Sequence, residues 1–220
     1  MTEAFNKELF EKMPIIGIMR HFPEQQLGPV LQAFVSAGFT TLEITMNSDN
    51  ATQTISSLKA EWGERLNIGA GTVCTMKDLD TALEAGAQFI VSPIVRKKII
   101  RACVKKGIPV FPGALTPTEI YSAWNWGATM VKVFPAGRLG PGYIKDILEP
   151  LKDIKLIPTG GINPHNFIDY LTMGASGAGM ASALFPKEMI VDGKWEELRS
   201  FYGHIVQQYA QYKSEIKRDA

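Results

Sequence analysis

The chain has 220 residues, enough for one domain with a substantial core; 45% are apolar and 20% charged, as in ordinary soluble domains. The formal net charge of +1 leaves no electrostatic footprint for nucleic acid, and no apolar run approaches the roughly 20 residues a membrane span needs. Cys74 and Cys103 belong to no Cys-x-x-Cys or Cys/His cluster, so a structural zinc site is not expected and both thiols are read as reduced, in a cytoplasmic protein.

In chain order, the opening segment Met1 to Met13 carries Glu3, Lys7, Glu8, Glu11 and Lys12 and is too polar for a signal peptide. Its part from Asn6 to Met13 reads as an extra helix ahead of the first strand. Short apolar runs then predict strands at Ile15–Met19, Thr41–Thr45, Ile68–Gly71, Phe89–Ser92, Val110–Phe111, Met130–Phe134, Leu156–Pro158 and Gly177–Met180. Their starts are spaced by roughly 20 to 27 residues, the length of a strand, a helix and two short loops. Helix starts fall between them. Thr116-Pro117-Thr118-Glu119 has the pattern of a capping box with Pro at the first helical position, Asn163-Pro164 repeats the cap and Pro, and Thr75 to Asp78 is a weaker version. Gly38, Gly86, Gly107, Gly127 and Gly174 each stand where a helix would end just before a strand. The segment from Lys194 to about Ile216 reads as the last helix. Eight such units predict a single domain over residues 1–220: a (β/α)8 barrel whose extra N-terminal helix covers its bottom. An open doubly wound sheet is the competing fold, and the first strand-to-helix turn lacks the GxGxxG fingerprint it would need.

The informative anomalies are charges inside apolar strands. Lys132 alternates with Val131 and Val133, and Glu43 with Leu42 and Ile44, so if the branched residues meet the helices, both charges point into the barrel. An inward charge is costly, and a desolvated lysine becomes a nucleophilic amine of the kind that forms a Schiff base with a ketone. A structural ion pair is the plain alternative. Arg20, at the end of the first strand, is placed to hold a carboxylate, and Thr72, after Gly69-Ala70-Gly71, to donate to one. Gly160 and Gly161 after strand seven, and the turn through Ser182 after strand eight, suit phosphate. His21, next to Arg20, could line the site but reads rather as a rim group, and His165 and His204 read as surface residues on helices; their spacing offers no metal triad.

Five motifs, in this order, resemble one family: Leu42-Glu43-Ile44-Thr45, Gly69-Ala70-Gly71-Thr72-Val73, Pro112 to Glu119, Val131-Lys132-Val133-Phe134-Pro135-Ala136 and Pro158-Thr159-Gly160-Gly161-Ile162. The chain resembles the 2-keto-3-deoxy-6-phosphogluconate (KDPG) and 4-hydroxy-2-oxoglutarate (KHG) aldolases, and the similar 2-keto-3-deoxy-6-phosphogalactonate (KDPGal) aldolases, from about Ile15 to Phe185. The resemblance implies a homotrimeric barrel and class I aldol chemistry without metal or cofactor. It implies Lys132 as the Schiff-base residue, Glu43 as general acid and base, Thr72 and an arginine on the pyruvate carboxylate, and Gly160, Gly161 and Ser182 on the phosphate. Two departures stand out. Many KDPG aldolases have arginine where this chain has Asn47, which leaves the carboxylate to Arg20 and the substrate epimer open; Ala181 stands where relatives often have glycine. A sugar-phosphate epimerase and a non-catalytic metabolite sensor are the rival readings.

Overall fold

The computed structural model describes residues 4–219; Met1, Thr2 and Glu3, part of the polar opening segment, lie outside the described residues. Eight strands run in chain order: β1 (Ile15–Met19), β2 (Thr41–Thr45), β3 (Asn67–Gly71), β4 (Ile90–Ser92), β5 (Val110–Ala114), β6 (Val131–Val133), β7 (Leu156–Pro158) and β8 (Ala178–Met180). Every named pairing is parallel, in the order β7-β6-β5-β4-β3-β2-β1-β8. A bridge between Thr159 and Gly179 joins the two ends, so the sheet closes into the predicted (β/α)8 barrel. The helices are α1 (Lys7–Lys12), α2 (Glu24–Ala37), α3 (Ala51–Trp62), α4 (Met76–Glu84), α5 (Lys97–Lys106), α6 (Pro117–Asn125), α7 (Gly142–Leu148), α8 (Phe167–Thr172), α9 (Lys187–Val191) and α10 (Trp195–Asp219).

Local chemistry explains where the helices start and stop. Thr116 accepts from the Glu119 N–H at 3.3 Å while Glu119 accepts from the Thr116 N–H at 2.9 Å, which completes the capping box of α6. Thr75 and Asp78 form the same reciprocal pair on α4, so the weaker motif caps as well as the stronger one. The five helix-ending glycines all have positive φ, between 68° and 108°, where a side chain would be strained. Asn163-Pro164 departs from expectation. The Asn163 side chain accepts from the His165 N–H at 2.8 Å and folds a local turn, and α8 begins only at Phe167, capped in position by Asn166. His165 is therefore on that turn, exposed, rather than on a helix. Strand β6 is shorter than predicted because the chain turns away at Phe134 into Pro135, which has no N–H for the ladder.

Side chains alternate between two apolar groups. Outward residues such as Leu42, Ile44, Ile68, Val131 and Val133 pack on the helices. Inward residues Ile16, Ile18, Phe89, Val91, Phe111, Met130 and Ile157 fill the barrel with Phe10 of α1. Phe5 stacks edge-on against Phe89 and Phe111, and Phe10 lies against Gly177 at the N-terminal ends of the strands. The extra helix thus plugs the bottom of the barrel and leaves the other end open.

Candidate active site

Alternation along β6 puts Lys132 inside the barrel, between Gly113 of β5 and Ile157 of β7, at 7% exposure. Its Nζ lies 5.1 Å from the centre of the Phe134 ring. Glu43 is inward on β2, level with Ile18 and Gly69, and 2% exposed. Gly71 makes room for it: a Cβ there would stand 1.6 Å from the Glu43 Oε1. Burial pushes the Glu43 carboxyl above its ordinary value, and the positive fields of Lys132 and Arg20 only partly oppose that rise. Among the described residues no contact ion pair joins Lys132 to Glu43. The two charges therefore interact through their fields rather than as a salt bridge in contact.

The open end leads into a cavity of about 710 Å3, lined by Arg20, Thr72, Lys132, Gly160 and Ser182 among the residues singled out from sequence. Glu43, buried inside the barrel, is not among its lining residues. Gly161 lines an adjoining cavity of about 160 Å3, which shares Gly160, Ala181 and Ser182 with the larger one. Gly160 and Gly161 have φ of +83° and +82°, and a side chain at either would also meet the Phe134 ring or the Gly137 backbone. Thr72 has φ of +58°, a strained conformation for a β-branched residue, at the rim where β3 ends. Asn47, where relatives often carry arginine, is not a lining residue, whereas Arg20 is.

The cavity has further lining residues. His21, which the sequence allowed beside the site but favoured as a rim group, lines it; its backbone adopts φ of +48° and its N–H donates to Ser48 Oγ at 2.9 Å. Ser48 in turn shares a 2.8 Å hydrogen bond with Thr45, tying the Arg20 end of β1 to the end of β2. Thr159 is 5% exposed and faces the same space, together with Pro93, Phe134, Phe185 and Lys187. Thr159 had a signal, a polar residue buried at a strand end; Lys187, in an ordinary helix start, had none. Cys74 lies outside the cavity, its thiol pushed up by burial and by Asp78. Burial pushes the Cys103 thiol up to about 12. Among the described residues no group of three or more His, Cys, Asp or Glu is arranged to hold a metal ion.

A buried amine on the cavity wall, a buried carboxyl of raised pKa elsewhere inside the barrel, and Arg20, Thr72, Gly160 and Ser182 on the same wall suit chemistry on a ketone that carries negative charge at its ends. The comparisons with known proteins point the same way. The family model for KDPG and KHG aldolase matches residues 7–201. The 2-dehydro-3-deoxy-6-phosphogalactonate aldolase of Escherichia coli strain K12 is 35% identical over 192 residues, 86% of this chain and 93% of its own. A solved native KDPGal structure superimposes with a TM-score of 0.85 at 30% identity, covering 96% of this chain and 100% of the other. The KDPG aldolase of Legionella pneumophila, solved with pyruvate captured as a covalent carbinolamine, gives 0.82 at 28% identity and covers 90% of this chain and 96% of its own. By the extent of these matches, this (β/α)8 barrel is a carbon–carbon lyase of the KDPG and KHG aldolase family.

Proposed function

We propose that the protein is a Schiff-base aldolase that cleaves 2-dehydro-3-deoxy-6-phospho-D-gluconate to pyruvate and D-glyceraldehyde 3-phosphate. One observation carries this reading: Lys132 and Glu43 are both buried inside the barrel, with the lysine on the cavity wall and, among the described residues, in no contact ion pair. The amine of Lys132 attacks the C2 ketone, and loss of water leaves a protonated imine that draws electrons. Glu43 acts through a bound water. It takes the proton of the C4 hydroxyl as the C3–C4 bond breaks, and glyceraldehyde 3-phosphate leaves. The enamine that remains takes a proton back from Glu43 at C3, and hydrolysis of the imine frees pyruvate and Lys132. One carboxyl serves both steps because its acid and base roles alternate, and burial raises its pKa, which favours the protonated form.

Arg20 and Thr72 hold the carboxylate next to the ketone. The backbone N–H groups of Gly160 and Gly161 and the Ser182 hydroxyl hold the phosphate, which anchors the substrate away from the breaking bond. No step in this scheme calls on a metal or cofactor. Residues 1–220 act as one aldolase domain in a cytoplasmic homotrimer, with the sugar-acid cleavage of the Entner–Doudoroff route as its place in carbohydrate metabolism. KHG, without a phosphate, is a second candidate substrate.

The galactonate epimer is the second reading. Arg20, rather than the residue at 47, lines the cavity, as the resemblance to KDPGal aldolases implies. Turnover of the two epimers side by side separates them. The mechanism itself is tested by intact mass after incubation with pyruvate and borohydride, with Lys132→Ala as the comparison. An adduct on the wild type alone is expected. No adduct on either protein would remove the imine mechanism and favour an epimerase or a sensor.

A further inference from the structure

The large cavity is walled mainly by apolar side chains, among them Ile18, Met19, Phe22, Phe185 and Ile190, and no carboxylate lines it. Besides Lys132, it presents Arg20, His21 and Lys187. Under the proposed function Arg20 is committed to the substrate carboxylate, and His21 is the residue next to it, with its backbone N–H bonded to Ser48. The groups given to the phosphate are all neutral. A phosphate monoester brings a charge of about −1.5 to −2 into this wall. Neutral donors alone leave that charge without a counter-ion in apolar surroundings.

Lys187 is placed to supply it. It follows Ser182 by five residues, on a segment folded by the Leu184 N–H to Ala181 carbonyl bond at 2.9 Å and the Phe185 N–H to Ser182 carbonyl bond at 3.2 Å. Leu184, Phe185 and Ile190 are buried and fix this segment to the barrel, so the stem of Lys187 is held at the cavity wall while its side chain stays exposed. Among the described residues Lys187 makes no ion pair. The neighbouring carboxylates Glu188 and Asp192 act on Lys194 instead. An ammonium on a flexible stem, with three rotatable donors, suits a phosphate as a point charge. We propose that Lys187 is the cation that binds the substrate phosphate and sets the preference of this enzyme for phosphorylated over unphosphorylated 2-oxo-3-deoxy acids. This inference rests on the aldolase reading for its substrate, and on the cavity alone for its anion.

The test compares kcat/KM for the 6-phosphorylated acid with that for the same acid bearing a free hydroxyl, in wild type, Lys187→Ala and Lys187→Arg. The ratio should fall by about fivefold or more in the alanine variant and recover in the arginine variant. Rising salt should depress the ratio in the wild type more than in Lys187→Ala, a readout that a merely structural lysine would not move. A ratio in Lys187→Ala within about fivefold of the wild type overturns the proposal. Titration calorimetry with inorganic phosphate gives an arm that needs no turnover. If the wild type cleaves neither acid, the aldolase reading fails by itself and this arm decides: a phosphate Kd weakened about fivefold in Lys187→Ala upholds the anion site, and an unchanged Kd removes it.

Discussion

Glu43 keeps its carboxyl inside the barrel at 2% exposure, and burial raises its pKa above the ordinary 4.5 despite the fields of Lys132 and Arg20. The folded state then holds the proton more tightly than the unfolded one. Its contribution to stability is full below pH 4.5 and is lost as pH rises through the folded value. Glu43→Gln keeps the shape and removes the charge. It should lose cleavage by on the order of 10^2- to 10^4-fold, while its unfolding temperature gains on the wild type as pH rises from acid to neutral. Calorimetric scans that show a constant gap across that range would mean the carboxyl is not desolvated in solution. Gly71 belongs to the same argument, since a methyl there would displace Glu43. Gly71→Ala should still trap pyruvate on Lys132 but cleave the sugar acid at least about tenfold more slowly. Unimpaired cleavage would disconnect Glu43 from the reaction.

At the level of elements, each strand of the barrel does two jobs. Its outward residues bind the helices, and its inward residues form either the filling or the site, depending on height. Just before β6, Met130 belongs to the filling, and Lys132, two residues on within the strand, belongs to the site. The short helix α1 completes the filling from below through Phe10, which is 1% exposed. Phe10→Ala should therefore cost about 3–5 kcal/mol in denaturant unfolding and still form the pyruvate adduct, because the plug and the cavity occupy opposite ends of the strands. A loss below about 1 kcal/mol would mean that Phe10 leaves the barrel floor in solution.

At the level of the whole molecule, large apolar side chains outside the cavity remain exposed on the loops that follow β4, β5 and β6: Ile94 at 43%, Leu115 at 39% and Leu139 at 40%. Exposed apolar side chains on successive loops are the kind of surface that association covers. Light scattering should give three times the chain mass, and Leu115→Asp should shift the protein toward the monomer; a wild type that is already a monomer would end the trimer proposal. The wider fold was legible because its signals are local. Alternation every second residue, a threonine with an acid three positions on, and a glycine that must turn left-handed all act within a few residues of one another. The exceptions had local causes as well, as where the Asn163 side chain closed a turn and α8 waited until Phe167. Most of the site was legible for a similar reason, since Lys132 and Glu43 betray themselves as charges in apolar strands.

The sequence by itself thus determined the order of strands and helices, most of the helix ends and the inward direction of Lys132 and Glu43. Only the tertiary structure decided that Glu43 rests over Gly71, that Arg20 rather than Asn47 reaches the cavity, and that Lys187 shares it with Lys132. Those neighbours lie tens of residues apart along the chain, and they meet because eight strands close into a ring and bring their C-terminal ends to one rim.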